Sequence, residues 1–264
     1  MRGEDLMQAA AELARLTGNA ALRYYGGTAN VETKGDGSPV TIADRTAEQL
    51  AREWLAIRFP ADGILGEELG LSRPDARRRW IIDPIDGTRT FVRRVPLWGT
   101  LIAVAEGETV LAGAAFFPAV GEILAAAPGC GCWWNDVRCQ VSAVGELADA
   151  AVLTTDNRFR GAERRIGAWQ NLSARSSVAR TWGDCYGYLL VATGRAEAMI
   201  DDIVSPWDAA ALQPIVTEAG GVFTNWKGES TGFGPDVIAT NALLAREIRD
   251  VLSLPAQSGV TANA

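Results

Sequence analysis

Residues 80–91, WIIDPIDGTRTF, constrain this chain more than any other stretch. An apolar run, Trp80-Ile81-Ile82, ends in two carboxylates three residues apart, Asp83 and Asp86. Pro84 stiffens the connection between them. Gly87 lets the backbone approach a partner closely, and Thr88 adds a hydroxyl. Carboxylates fixed at a strand end, followed by Gly-Thr entering a helix, suit a hard divalent cation facing a phosphate. Oxygen ligands match Mg²⁺, and the N–H groups of a helix start match a phosphoryl oxygen.

The chemistry left to the chain is narrowed by what it lacks. Its 264 residues contain no histidine. A Ser-His-Asp triad, a histidine base and a histidine metal ligand are therefore excluded. Catalysis has to come from carboxylates, hydroxyls, backbone amides and metal ions. A net charge of −7 argues against a nucleic-acid partner. Arg77-Arg78-Arg79 reads as a solvated loop ahead of a strand. No apolar run reaches the ~18–20 residues that span a bilayer. The N-terminus, MRGEDLMQAAAELARL, reads as an amphipathic helix and not as a signal peptide. Cys130, Cys132, Cys139 and Cys185 show no CxxC spacing, so reduced thiols in a cytoplasmic protein are the expectation, with zinc as the other reading.

Periodicity places a first helix over residues 4–25, with Leu6, Ala10, Leu13, Leu16 and Ala20 on one face. Gly26-Gly27 stops it. Residues 33–43 have the Gly, Asp and Ser content of a mobile lid or of a plain surface loop. A helix is expected over 44–59 with Leu50, Trp54 and Leu55 buried, ended by Pro60. Strands are expected at 63–69, 98–106, 110–117 and 122–127, in a mostly antiparallel sheet. Short strands at 151–155, 196–200, 221–224 and 236–240 then alternate with helices at 162–171, 184–193, 206–218 and 241–254. This divides the chain into an N-terminal α+β half, 1–146, and a C-terminal α/β half, 147–254. The two halves share a core, and residues 255–264 form a frayed tail.

Four carboxylate sites fall at boundaries between these elements: Asp44, Glu67-Glu68, Asp83 with Asp86, and Asp208. Each has an ordinary reading alone. Asp44 and Asp208 could cap helices, Glu67 could be a surface charge, and Asp83 a turn residue. Their order along the chain resembles the inositol monophosphatase superfamily of Mg²⁺-dependent, lithium-sensitive phosphomonoesterases. The resemblance is carried by GEE at 66–68, WIIDPIDGT at 80–88 and WDAAALQPIVTEAGG at 207–221, and extends to about residue 254. It implies an α+β fold, the layered αβαβα sandwich of the inositol monophosphatase and fructose bisphosphatase type.

The resemblance also implies roles. Glu67, Asp83, Asp86 and Asp208, with the Ile85 carbonyl, would hold two or three Mg²⁺ ions. Thr88 would hydrogen-bond the attacking water, with Asp44 behind it and Glu67 also at the catalytic centre. The amides of Gly87 and Thr88 would hold the phosphate. Lys34, Asp36 and Ser38, in TKGDGSPVTIAD, fall in the lid-like loop, where Lys34 could close over the site or be solvated. A homodimer acting on a small phosphorylated metabolite is implied, with neither membrane nor nucleic acid as partner.

Within the superfamily, the histidinol-phosphate phosphatase branch is the nearest in appearance. FVRRVPLWGTLIAV at 91–104, GCWWND at 131–136, WGDCYGYLLVATGRAEAMID at 182–201 and SPWDAAALQPIVTEAGG at 205–221 carry that resemblance. Its substrate joins an ammonium and an imidazole to a phosphate. Asp184, and Asp201 as a second acid, could take the ammonium. Trp182 or Tyr186 could pack on the ring. The ordinary readings are a helix N-cap for Asp184 and core packing for the two aromatics. An inositol-1-phosphate or generalist sugar-phosphate phosphatase is the alternative enzyme, and a non-catalytic scaffold the alternative of another class. A 3′-phosphoadenosine 5′-phosphate site would need a basic cluster near the motifs, and none is visible in the sequence.

Overall fold

A computed structural model describes residues 2–27, 31–33 and 39–253. Lys34, Asp36, Ser38 and the tail 255–264 lie outside the described residues. Helices α1 (Gly3–Leu22) and α2 (Ile42–Arg58) flank a short pair, β1 (Val31–Thr33) and β2 (Pro39–Thr41). Then come β3 (Gly63–Gly66), β4 (Gly70–Ser72), β5 (Arg78–Asp86), α3 (Thr88–Val92), β6 (Gly99–Glu106), β7 (Thr109–Phe117), β8 (Glu122–Ala127), β9 (Gly131–Trp134) and β10 (Val137–Arg138). The remainder is β11 (Ala151–Leu153), α4 (Glu163–Arg175), β12 (Val178–Arg180), α5 (Asp184–Ala192), β13 (Ala198–Asp201), α6 (Pro206–Ala209), α7 (Leu212–Glu218), β14 (Val222–Thr224), β15 (Val237–Thr240) and α8 (Ala245–Ser253).

Strands β3 to β10 form an eight-stranded sheet in the order β10-β9-β8-β7-β6-β5-β3-β4. Its one parallel pair is β3 with β5. Strands β11 to β15 form a five-stranded sheet, β12-β11-β13-β15-β14. The period-two alternation of β5 explains the layering. Trp80 and Ile82 face α1 and α2, packing with Leu6, Leu13 and Leu55. Ile81 faces the other way, into a core built from Leu101, from Leu189 of α5, from Leu212 and Ile215 of α7, and from Met199 and Ala239 of the second sheet. On the far side of that sheet, Val152, Ile200 and Ile238 pack on Leu172 of α4 and Ile248 of α8. The layers therefore run helix, sheet, helix, sheet, helix. The eight-stranded sheet ends at Arg138 and the second begins at Ala151, on either side of residue 146.

Several elements differ from expectation for identifiable reasons. The helix expected over 206–218 breaks into α6 and α7, because Pro214 has no N–H and its ring excludes the carbonyl four residues back, that of Ala210. The helix expected from Asn241 begins at Ala245. Asn241 is instead buried, donating to the Ser142 and Val144 carbonyls at 3.3 and 2.8 Å. Helix α2 buries Ala47, Ala51 and Leu55 together with Asp44 and Glu48, while Leu50 and Trp54 are only half-buried. Arg78 is not a solvated loop residue. It opens β5 and pairs with Asp62 at 2.7 Å, above the Phe59 ring. The hairpin β9–β10, not among the expected strands, turns on Asn135-Asp136, both at positive φ, and carries Cys132 in β9.

Candidate active site

The carboxyl end of β5 breaks the alternation of the strand. Asp83 pairs with Leu101 but Asp86 pairs with Gly99, so three steps on β5 match two on β6. In a regular strand, residues three apart face opposite sides. The extra residue of this bulge returns Asp86 to the side of Asp83. Gly87 then takes a left-handed conformation, φ +87°, and starts α3. A Cβ there would also come within 2.9 Å of Asp184 Oδ2.

Neighbouring elements bring the remaining acids to the same point. Strand β3 runs beside β5, and the Glu67 N–H donates to the Ile82 carbonyl at 3.1 Å. Glu67 thus leaves the sheet next to Asp83. Asp44 and Asp208 each occupy the third position of a helix, where their Oδ2 atoms accept from the N–H of Thr41 at 2.8 Å and of Ser205 at 2.7 Å. The N-cap positions belong to Thr41 and Ser205, and each acid instead closes a capping box from the third position while its second oxygen is left for the site. Asp44 Oδ1 lies 3.4 Å from Thr88 Oγ1, which also reaches the Ile85 carbonyl at 3.1 Å. The Cys185 N–H, at the start of α5, donates to Asp86 Oδ2.

Asp83, Asp86 and Asp208 each offer an oxygen within 4.8 Å of the others. All three are held above the ordinary carboxylate range. Burial is the main cause for each. Glu67, Asp86 and Asp208 then add repulsion at Asp83, and Asp184 and Asp208 do so at Asp86. Asp208 is pushed up to about 7, by burial and then by Glu67 and Asp184 against the Ser205 hydrogen bond. Asp44 is raised by burial, partly offset by its bonds to Thr41. Buried like charges that resist ionisation are the donor set a hard cation relieves. The oxygens present fit a divalent metal ion.

Asp86 and Asp208 open onto a cleft of ≈ 900 Å³. Asp184 lies on its wall with φ +50°, a conformation that costs a non-glycine residue about 1–2 kcal/mol. Its N–H donates to Thr155 Oγ1 at 2.9 Å, and its Oδ2 accepts from the Thr90 hydroxyl at 3.0 Å. The N-cap position is taken by Gly183, so Asp184 is not the cap. Asp201 is buried in the wall, accepting from the Thr155 N–H at 3.0 Å and from the Tyr188 hydroxyl at 2.8 Å.

Neither aromatic expected against the substrate is among the residues that line the cleft. Tyr186 packs edge-on against Phe117, with ring centroids 5.7 Å apart. It lies two residues beyond Asp184, about 200° around the helix and so on the opposite face. Tyr188, four residues beyond Asp184, lines the cleft. Trp182 is 44% exposed and is not among the lining residues. The fold also gathers Arg89, Arg158 and Arg160 along one rim, a basic group invisible in the sequence because two segments supply it. Arg158 is paired with Asp156 at 2.6 Å.

Burial raises Asp201 from 3.8 to about 6. A raised carboxyl pKa means that the fold prefers the protonated form. The stability it contributes is full below its unfolded pKa and is lost as pH rises through about 6. Asp201→Asn can keep both hydrogen bonds, accepting from the Thr155 N–H and donating to the Tyr188 oxygen. Its melting temperature is expected to fall less than wild type between about pH 4 and pH 7. Superimposable melting profiles across that range would remove Asp201 as a source of the slope.

Residues 3–256 match the model of the inositol monophosphatase family, and the chain belongs to that family. It is 41% identical to a histidinol-phosphatase of Chlorobaculum parvum, over 92% of this chain and 94% of that one. A histidinol-phosphatase of Mycobacterium tuberculosis is 38% identical, over 94% and 97% of the two chains. Among solved structures, the extragenic suppressor protein suhB of Bartonella henselae superposes with a TM-score of 0.89. It is 30% identical, with 94% of this chain and 98% of that one covered.

Proposed function

We propose that this protein is a Mg²⁺-dependent phosphomonoesterase that hydrolyses L-histidinol phosphate to L-histidinol and phosphate. Two relatives that carry the name histidinol-phosphatase over nine-tenths of the chain support the reading. The structural observation that carries it is Asp184: a carboxylate on the cleft wall, directly against Gly87 and next to the Asp83-Asp86-Asp208 group. A phosphate seated at Gly87 and Thr88 would leave an ammonium within reach of Asp184. In the adjoining groove, Val95 and Leu97 offer the imidazole apolar contacts beside Arg89, Arg93 and Thr181. Asp201 has both oxygens engaged by the protein and supports that wall from behind.

Glu67, Asp83, Asp86 and Asp208, with the Ile85 carbonyl, would hold two or three Mg²⁺ ions. When bound, these would lower the pKa of a water and offset charge on the phosphoryl oxygens. The chain's own part is to orient and deprotonate. The Thr88 hydroxyl directs its proton to Asp44 Oδ1 and accepts from the attacking water, so a proton leaving the water passes through Thr88 Oγ1 toward Asp44. Burial, which raises Asp44, suits it to receive that proton. Thr88→Ala is expected to lower kcat about 100-fold with KM within about threefold. A change confined to KM would place Thr88 in binding and not in water orientation.

The deciding experiment is kcat/KM with Mg²⁺ for L-histidinol phosphate and for inositol-1-phosphate, side by side. A preference of ~100-fold, or ~2.7 kcal/mol, marks histidinol phosphate as the dedicated substrate. Near-equal values would mark a generalist phosphatase, and no release from either by folded protein would favour a scaffold. The same reading places a homodimer in the cytoplasm. Among the described residues no helix is long and apolar enough to cross a membrane. Sedimentation of the purified chain tests the dimer.

A further inference from the structure

Helix α2 carries a second buried carboxylate that the chemistry above leaves unused. Glu48 follows Asp44 by four residues, so the two share the inward face of the helix, and Glu48 is wholly buried. Its Oε2 accepts from the Glu68 N–H at 2.8 Å, and its Oε1 from the Leu69 N–H at 3.2 Å. Arg52 completes the group, donating Nε to Glu48 Oε1 at 2.8 Å while its terminal nitrogens reach the Gly70 carbonyl and Ser72 Oγ. Gly66 closes the other side, because any Cβ there would overlap the Glu48 carboxylate.

A helical ion pair four residues apart is ordinarily a surface feature worth a few tenths of a kcal/mol. Taking its carboxylate fully out of water is tolerable only if further donors satisfy it. Here those donors are consecutive backbone N–H groups of one turn, the turn that joins β3 to β4. Glu67 sits between Gly66 and Glu68, two of the three points where Glu48 touches that turn; Leu69 is the third. One face of α2 therefore reaches Thr88 through Asp44 and the backbone around Glu67 through Glu48.

We propose that Glu48 is a positioning residue for the metal centre. It sets the 66–70 turn so that the Glu67 carboxylate is directed at Asp83 before a cation arrives. This rests on the reading of Glu67 as a metal ligand. The bonds of Glu48 to the Glu68 and Leu69 N–H groups add to the β3–β4 pairing and the Glu67–Ile82 bond in holding the turn against the repulsion that Glu67 exerts on Asp83 and Asp208.

The test is calorimetric titration of the metal-free, full-length protein with MgCl₂, together with the Mg²⁺ dependence of phosphate release. Glu48→Gln is expected to weaken Mg²⁺ binding about tenfold, the low end of what outer-shell partners of metal ligands deliver. The half-saturating Mg²⁺ concentration should rise by the same factor, with kcat at saturating Mg²⁺ within about threefold of wild type. Arg52→Met removes the ion pair and the bond to the Gly70 carbonyl but leaves the Glu68 and Leu69 N–H groups their acceptor, so it should lower the melting temperature and keep Mg²⁺ affinity within about twofold. Wild-type affinity in Glu48→Gln overturns the proposal, whatever its melting temperature. Glu67→Gln separates the two claims. If it binds Mg²⁺ normally, the ligand reading of Glu67 fails and Glu48 falls with it. If it binds weakly while Glu48→Gln binds normally, only the positioning role fails. Should Glu48→Gln not fold, Glu48→Asp takes its place and is read the same way, since it keeps a carboxylate charge facing Arg52 but withdraws the acceptor by a methylene.

Discussion

Asp83→Asn is expected to lower Mg²⁺-dependent phosphate release at least about a thousandfold, roughly 4 kcal/mol at 1.36 kcal/mol per factor of ten. The fold should survive. The asparagine oxygen can still accept the Ile85 N–H that Asp83 Oδ1 accepts at 3.0 Å. What disappears is one negative charge from a buried group in which Glu67, Asp86 and Asp208 all oppose ionisation of Asp83. The metal-free variant should therefore melt above the metal-free wild type. Its rise in melting temperature on adding Mg²⁺ should shrink, because stabilisation by a ligand follows its affinity for the native state. Activity within tenfold of wild type would take Asp83 out of the metal site. A lower melting temperature in the absence of metal would mean that exchanging a carboxylate for an amide acceptor at the Ile85 N–H costs more than the relief of repulsion returns.

Asp184→Asn should separate substrates by charge. For L-histidinol phosphate, kcat/KM is expected to fall about 100-fold, ~2.7 kcal/mol, within the range of a hydrogen bond to a charged group in a half-buried site. For p-nitrophenyl phosphate, which carries no ammonium, the change should stay within about threefold. The variant keeps an acceptor for the Thr90 hydroxyl, so the wall around Gly87 is left standing. Equal losses on both substrates would make Asp184 a support for Thr90 and Gly87 and not a seat for the ammonium.

The acids were legible in the sequence because their signals are local. A strand that ends in Asp-Pro-Ile-Asp-Gly-Thr, a Gly-Glu-Glu after an apolar triplet, and aspartates at helix starts are all patterns within ten residues. The layered order of helices and sheets was legible for the same reason, through period-two and period-3.6 runs. Features made by distant segments were not. Thr155 meets Asp201 only once β11 has paired with β13, and Arg89 meets Arg158 and Arg160 only once the two sheets have packed together. Glu48 was missed for a different reason. A reading that turns charged residues outward rotates α2 toward Leu50 and Trp54, whereas the helix turns two satisfied carboxylates inward. Tyr186 and Tyr188 could have been told apart, since four residues, and not two, keep a side chain on the face of Asp184. The break at Pro214 was equally available from the proline itself.

Asp44 divides its two oxygens between a helix start and Thr88, and Asp208 divides its own between a helix start and the cleft. The first turn of α2 or of α6 cannot fray without withdrawing an acid from the catalytic centre, and neither acid can swing away without uncapping its helix. Loops can drift while the rest of a molecule stays folded. These two side chains have no such independence. The arrangement ties readiness for catalysis to the same hydrogen bonds that begin secondary structure, so the centre keeps its shape for as long as those helices exist.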